Sequence, residues 1–203
     1  MTEPSRWVET TRRDPNHSSW YVQRFRSMAE AGADLAGEAR FVDAMAPRAA
    51  RILDAGCGPG RVGAELARRG HDVVGVDVDP ILIAAAEADH PGPTWIVCDL
   101  AELDLPAHGI TEPFDLIVCC GNVMPFLAPS TRREVLRRLG GHLDPAGRIA
   151  VGFGSGRDYD FAEYRDDVEQ AGLVVDLELA TWDLRPMAPD AEFMVSILRT
   201  EIS

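Results

Sequence analysis

Short apolar runs alternate along the middle of the chain with longer stretches in which apolar residues recur at helical spacing. The short runs RILDA, DVVGV, TWIV, DLIVCC and RIAVGF begin at residues 51, 72, 94, 115 and 148. Runs that are apolar at nearly every position are typical of strands buried on both faces of a sheet. Because helical stretches separate them, the pattern predicts parallel strands joined by right-handed crossovers.

Glycine and proline mark the ends of the predicted helices. A helix from about Arg61 to Arg69 should end at Gly70, since glycine favours the left-handed conformation after a helix. Pro80 opens the next helix, ILIAAAEADH, where its missing N–H costs nothing. A third helix, STRREVLRRLGGHL, should be stopped by Asp144-Pro145.

The pattern changes after Tyr164. The helical stretch EYRDDVEQAGL leads into VVDLELATWDL, and a loop with Pro186 and Pro189 precedes EFMVSILRTEI. Two strands joined by a short loop predict an antiparallel pair at one sheet edge. The expected fold is α/β: a doubly wound, seven-stranded, mostly parallel sheet with an antiparallel C-terminal edge pair and helices on both faces.

Residues 1–45 precede the first strand and form a predicted helical lid segment, and residues 46–203 form the predicted Rossmann-like domain. The lid segment carries Trp7, Trp20, Tyr21 and Phe25. These rings can pack the segment onto the sheet, or some can cover a bound ligand and exclude water. Trp182 and the 183–191 loop are candidates for the opposite wall.

The composition of the 203 residues, 46% hydrophobic and 26% charged, is typical of a globular protein. No apolar run approaches the roughly 20 residues of a membrane-spanning helix. The polar first residues lack the apolar centre of a signal peptide, which leads us to expect a cytoplasmic protein.

A net charge of −13 disfavours nucleic acid, whose phosphates bind mainly to Lys and Arg. The paired arginines are predicted to be solvated helix faces or ends: Arg12-Arg13, Arg68-Arg69, Arg132-Arg133 and Arg137-Arg138. The four cysteines form no C-x-x-C pair, so they indicate small buried side chains in a reducing compartment, with no metal site.

The segment from Ile52 to Arg61 carries the sharpest signal for a ligand site. A strand runs into Gly56, Gly58 and Gly60, and a helix follows. Glycines allow a tight turn and a close backbone approach to a ligand at the helix N-terminus. A dinucleotide loop, G-x-G-x-x-G, would need a third glycine where Arg61 stands.

Acidic or small residues follow three further strands. Asp77 ends the second strand, Asp99 follows the third, and the fourth runs from Asp115 into Gly121-Asn122. An acid after the second strand can accept hydrogen bonds from both ribose hydroxyls. Together with D-x-G-x-G-x-G, these motifs resemble those of class I S-adenosylmethionine-dependent methyltransferases of the small-molecule type, over about residues 45–200.

The resemblance implies S-adenosylmethionine as cofactor and a role for each motif. Asp54 would bind the ligand's amino group, or brace the glycine turn. Asp77 would bind the ribose. Asp99 would accept from the adenine amino group, or cap the helix that follows. The predicted cofactor-binding residues are Asp54, Gly56, Cys57, Gly58, Gly60, Asp77, Val78, Asp99, Leu100, Cys120, Gly121 and Asn122.

The residue types offer no clear general base. Asn122 and His17 are the weak catalytic candidates, and Asn122 can equally be a turn residue with positive φ. In the family a histidine often stands where Phe126 does here, and the N-P-P-[YF] tetrapeptide is absent. His71, His90, His108 and His142 lie in predicted turns or helix ends and are expected to be solvated.

The predicted function is therefore in-line methyl transfer to a small-molecule acceptor, without nucleic acid or membrane. Two alternatives remain: a cofactor-binding protein without catalysis, and a nicotinamide-dinucleotide oxidoreductase. The acceptor, the methylated atom and the oligomeric state cannot be derived from the sequence.

Overall fold

Seven strands form a single sheet in the computed structural model, which describes residues 2–201. Their bounds are β1 (Arg51–Ala55), β2 (Asp72–Asp77), β3 (Thr94–Val97), β4 (Phe114–Cys119), β5 (Leu143–Gly154), β6 (Leu173–Leu179) and β7 (Phe193–Thr200). The strand order is β3-β2-β1-β4-β5-β7-β6. The reversal of order beside β1 creates the crevice where open α/β sheets bind ligands.

Within residues 2–201, eight α-helices surround the sheet, and three short 3₁₀ turns lie between them. The helices are α1 (Arg6–Arg13), α2 (His17–Glu30), α3 (Gly37–Met45), α4 (Arg61–Arg68), α5 (Pro80–Asp89), α6 (Val123–Phe126), α7 (Arg132–Gly141) and α8 (Phe161–Gln170). In the described part of the chain, none of them has the length and apolar character needed to span a bilayer.

The predicted sheet is confirmed, with two differences in detail. Strands β1 to β5 pair in parallel, and β7 is antiparallel to both β5 and β6, so β7 lies inside the sheet and β6 forms the edge. Strand β5 begins at Leu143 and not at Arg148. The Asp144-Pro145 pair stays within the strand because the ladder is irregular there, between Phe114 and Leu116 of β4, and a proline without an N–H is tolerated at such a break.

Successive residues of the central strands face two separate apolar layers. Leu53 and Ile117 pack with the side chains of α7 and α8, and Ile52 and Val118 pack with those of α3 and α4. All four are fully buried. This two-sided burial is the reason that the strands are apolar at nearly every position.

Two predictions of solvated side chains were wrong. Arg132 is only 1% exposed: its guanidinium lies 3.9 Å from the Tyr159 ring centroid and donates to Glu163 and to the carbonyl of Asp158. His71 is 8% exposed, and its Nε2 lies 3.0 Å from Asp43. Both are buried because segments distant in the chain pack over them, which a local pattern does not record.

Gly75 of β2 is expected to tolerate no side chain, because an added Cβ would lie 2.3 Å from the Trp95 ring and 3.1 Å from the Cys57 sulfur. Overpacking a tight core costs about 1–3 kcal/mol. Gly75→Ala should therefore lower the free energy of unfolding by about that amount in urea titrations.

Gly141→Ala is the matched control, since Gly141 ends α7 and an added Cβ meets no atom within 4 Å. It should leave stability unchanged or raise it slightly. Equal urea midpoints for the two variants would contradict the packing described around β2.

Candidate active site

The carboxyl ends of the parallel strands open into one cavity of about 280 Å³. Eleven of the twelve residues predicted from the sequence to bind a ligand line it: Asp54, Gly56, Cys57, Gly58, Asp77, Val78, Asp99, Leu100, Cys120, Gly121 and Asn122. The exception is Gly60, which packs against Trp95: a Cβ added to Gly60 would lie 2.9 Å from that ring. The sequence motifs therefore converge in space.

The glycine loop bends sharply away from β1. Gly56, Gly58 and Gly60 all have positive φ, at 77°, 55° and 85°, a region that other residues adopt at a cost. A Cβ on Gly56 would also lie 2.4 Å from the Val123 side chain. The bend leaves bare backbone facing the cavity.

Asp77 holds this loop in place from the end of β2. Its Oδ2 accepts a hydrogen bond from Gly58 N at 2.9 Å, and its Oδ1 accepts from Asp79 N at the same distance. Burial raises its pKa to about 6. The carboxylate is thus fixed in orientation at the cavity wall.

Asp54 is a buried carboxylate with only a backbone partner. It is 1% exposed, and its Oδ2 accepts from Gly63 N at 2.8 Å, in the first turn of α4. Within residues 2–201 it forms no salt bridge, and burial raises its pKa to about 7. Asp54 both braces the turn and lines the cavity.

Asp99 and Asn122 also have structural partners. Asp99 caps a short 3₁₀ helix by accepting from Ala101 N at 2.9 Å. Asn122 has φ 66°, and its Oδ1 accepts from Gly154 N at 2.8 Å. The Asn122 side chain therefore keeps its amide N–H groups and one lone pair of Oδ1 for other partners.

Three of the four lid aromatics reach the cavity: Trp7, Tyr21 and Phe25 line it, whereas Trp20 is 55% exposed and lies outside. His17 packs with its ring centroid 5.0 Å from that of Trp7 and does not line the cavity, so its catalytic candidacy has no support in this geometry.

Asp79 fastens the lid helices beside the glycine loop. Its Oδ2 accepts from Trp7 Nε1 of α1 at 2.8 Å and from the Ser18 hydroxyl of α2, and its Oδ1 accepts from Ile81 N at 2.8 Å. Asp79 is itself 6% exposed. A single carboxylate thus caps α5 and holds α1 and α2.

Trp182 was predicted to form the opposite wall, and this prediction was wrong. Its ring packs 5.3 Å from that of Phe41 and against Gly152, on a different side of the sheet. The wall is formed instead by residues such as Phe126 and Arg157. Arg157, like Ser5 and Leu82, carried no signal in the sequence, because these residues come from separate segments that only folding brings together.

Arginines line the cavity in two electrostatic states. Arg61 forms a two-point salt bridge with Glu38 at 2.7 Å. Burial lowers the pKa of Arg61, but the hydrogen bonds to Glu38 and the nearby negative charges raise it by more, so its pKa lies above the ordinary value. Arg24 and Arg157 form no salt bridge within residues 2–201. Arg26, which is also in α2, is paired with Asp89 at 2.8 Å.

Comparison with known proteins identifies a family and a solved structure that matches nearly the whole chain. A family model described as a methyltransferase domain matches residues 52–147. The solved structure of a TehB-like SAM-dependent methyltransferase from Corynebacterium glutamicum is 45% identical, with a TM-score of 0.88, and the match covers 93% of this chain and 100% of that one.

Curated relatives match over shorter segments. A magnesium-protoporphyrin O-methyltransferase of Rhodobacter capsulatus is 41% identical over 44% of this chain and 39% of its own. A tRNA 5-carboxymethoxyuridine methyltransferase of Escherichia coli is 32% identical over 56% of this chain and 44% of its own. The chain thus spans less than half the length of these two relatives.

Because Asp54 and Asp77 are buried, we expect the free energy of unfolding to fall as the pH rises. Their folded-state pKa values of about 7 and about 6 lie above the unfolded value of about 3.9. The folded state therefore binds more protons, and the stabilisation present at low pH is lost as the pH passes through the folded pKa values. We expect the free energy of unfolding of the ligand-free protein to decrease on the order of 4 kcal/mol between pH 5 and 8, with the larger share from Asp54.

Asp54→Asn should flatten this pH dependence, because an amide does not titrate. Asp34→Asn is the control, since a salt bridge with Arg40 lowers the pKa of Asp34 to about 2 and keeps it ionised throughout. Urea unfolding at several pH values measures both. If the free energy of unfolding of Asp54→Asn changes with pH as steeply as that of the wild type, the raised pKa of Asp54 is contradicted.

Proposed function

Because this chain belongs to the class I S-adenosylmethionine-dependent methyltransferases, we propose that it transfers a methyl group from that cofactor to a small-molecule acceptor. The observation that carries the proposal is the convergence of four strand-end motifs on one cavity beneath an aromatic lid.

The residues of the cavity fit the cofactor. Asp54 is a buried carboxylate without a cationic partner, and burying an unpaired charge is costly, so the ammonium of the methionine part supplies the missing charge. The bare backbone at Gly56 and Gly58 leaves room for the chain of the ligand beside it. Asp77 spends one lone pair of each oxygen on backbone N–H groups and keeps the others for the two ribose hydroxyls.

The adenine end is assigned to the tip of β3. Asp99 accepts from the exocyclic amino group, and the backbone beside it meets a ring nitrogen, as the family pattern implies. Val78 and Leu100 line the same cavity and give the ring apolar contacts. Arg24, without an acidic partner within the described chain, is assigned to the cofactor's carboxylate.

The bound cofactor supplies an electrophilic methyl group on a sulfonium. What the protein must add is alignment of the acceptor and exclusion of water, which is catalysis by proximity. Trp7, Tyr21 and Phe25 form the cover over the cavity, and the Asp79 hydrogen bonds keep that cover closed. No side chain is needed as a strong base for an acceptor that arrives already nucleophilic.

The acceptor is proposed to be small because the cavity is enclosed by rings and the chain is acidic. A net charge of −13 repels a nucleic-acid backbone. The named relatives act on a protoporphyrin and on a tRNA, so family membership alone does not fix the acceptor.

Asp77→Asn tests the cofactor site directly. The variant keeps one backbone hydrogen bond but loses the charge that two ribose hydroxyls face, and hydrogen bonds to charged groups contribute about 1.5–3 kcal/mol each. Affinity for S-adenosylhomocysteine, measured by isothermal titration, should fall at least about tenfold.

Asp72→Asn is the matched control, the same substitution at the other end of β2, where the exposed side chain pairs with Arg51. It should bind like the wild type. Unchanged affinity in Asp77→Asn would sink the ribose assignment, and tight NADH binding would favour the oxidoreductase alternative. Turnover of labelled S-adenosylmethionine separates an enzyme from a binding protein.

Trp7→Phe tests the lid. The ring is kept, but the N–H to the buried Asp79 is lost, which leaves an acceptor partly unsatisfied at a cost of about 1–3 kcal/mol. The apparent affinity for S-adenosylhomocysteine should fall and its dissociation, followed by stopped-flow fluorescence, should quicken. Trp20→Phe, on an exposed ring of the same segment, should change neither; equal behaviour of the two variants would remove the role given to Asp79.

A further inference from the structure

Besides the three aspartates, the polar side chains that line the cavity all include hydrogen-bond donors: the cations Arg24, Arg61 and Arg157, the amide of Asn122 and the hydroxyls of Ser5 and Tyr21. The amide N–H groups of Asn122 are donors, and its Oδ1 already accepts one hydrogen bond, from Gly154 N. Arg24 and Arg157 are cations without an acidic partner within residues 2–201. Burial raises the pKa of Tyr21, which keeps its phenol protonated. A ligand part that meets this wall is best matched by an acceptor of hydrogen bonds with negative charge.

The two unpaired arginines lie on different sides of the cavity. Arg24 belongs to α2, whose Tyr21 ring approaches within 3.8 Å of the position of a Cβ on Gly58, beside the glycine loop. Arg157 follows β5, where Gly154 N is bonded to Asn122 at the end of β4. The tip of β4 is the place that the family pattern assigns to the transferring methyl, so Arg157 lies on the acceptor side.

The backbone around Arg157 is fixed from two directions. The buried Arg132 of α7 donates to the carbonyl of Asp158 at 2.9 Å, and Arg6 of α1 donates to the carbonyl of Arg157 at 3.0 Å. Tyr159, two residues after Arg157, is anchored by a hydrogen bond from its hydroxyl to Asp167 at 2.9 Å. Holding the backbone in advance reduces the entropy lost when the arginine binds a ligand.

A count of charges then leaves Arg157 for the acceptor. Arg61 is neutralised by Glu38, and Arg24 accounts for the single carboxylate of the cofactor. Resting on the proposed function, we propose that Arg157 binds an ionised carboxylate of the methyl acceptor and that an oxygen of this carboxylate is the nucleophile. The acceptor class is thus small carboxylic acids, and the product is a methyl ester.

The reaction balances without a protein base. The carboxylate oxygen forms a bond to the methyl carbon while the carbon–sulfur bond breaks, and that electron pair stays on sulfur. An anion and a sulfonium give a neutral ester and a neutral thioether, and no proton is released. A carboxylic acid with a pKa near 4 is already ionised at neutral pH, and removing water from two charges that cancel favours the reaction.

The test uses the protein saturated with S-adenosylhomocysteine and titrated calorimetrically with benzoate or with benzamide, an uncharged analogue of the same shape. The wild type should bind benzoate at least about tenfold more tightly than benzamide, and Arg157→Gln should remove about tenfold of the benzoate affinity. Arg157→Lys should restore part of it. Arg13→Gln, on an exposed arginine at the end of α1, should bind benzoate like the wild type.

The readouts separate this proposal from the one on which it rests. Failure of the wild type to bind S-adenosylhomocysteine would overturn the proposed function, whereas Arg157→Gln should leave that affinity unchanged. Benzoate that binds no better than benzamide, or that ignores Arg157→Gln, would overturn the carboxylate site. In a second assay, label transferred from S-adenosylmethionine to a small-molecule extract should be released as methanol by mild alkali; label stable to alkali would refute the ester.

Discussion

The carboxylate of Asp77 is the constraint on which the site depends. One of its oxygens holds Gly58 of the glycine loop, and the other holds Asp79 N, at the start of α5. The Asp79 carboxylate in turn binds Trp7 and Ser18 of the lid helices. A continuous set of hydrogen bonds therefore runs from the loop to the lid, and only an acceptor with two oxygens can connect these backbone N–H groups on both sides.

The same arrangement concentrates unfavourable electrostatics at the cavity. Asp54 and Asp77 are buried with backbone partners and form no salt bridge within residues 2–201, and burial is the largest of the effects that raise the pKa of each. Arg61 stands close enough to lower the pKa of Asp54, but it is paired with Glu38, and its effect is smaller than that of burial. Burying these carboxylates costs free energy when the site is empty, and a ligand that brings hydroxyl donors and a cation recovers it on binding. For this reason carboxylates with shifted pKa values often mark functional sites.

The part of the site that could be predicted from sequence is the part made by contiguous segments. Gly56 and Gly58 follow a strand and precede a helix, and their spacing alone predicts the bend that the structure contains. Asp77 was predictable because the end of a parallel strand fixes which edge of the sheet its side chain reaches. The parallel pairing of the first five strands followed from handedness and connection rules in the same way.

The rest depended on contacts between distant segments. The sequence predicts Arg132 to be a solvated helix residue, but in the structure the connection after β5 covers it. It likewise predicts Trp182 to be a loop aromatic beside the cavity, whereas its ring packs against Phe41. Arg157 sits in a polar turn, SGRD, with no periodicity or motif to single it out. Local pattern records which face of an element is apolar, but not which remote segment will cover it.

This division between local and remote signals also separates the two halves of the proposed chemistry. The cofactor half is built from strand tips that the sheet fixes rigidly. The acceptor half is built from α1 and the connection after β5, and Arg6 joins α1 to that connection through the carbonyl of Arg157. The acceptor wall is therefore complete only when the lid helices are docked, so the event that excludes water from the cavity is also the one that assembles the surface that selects the acceptor.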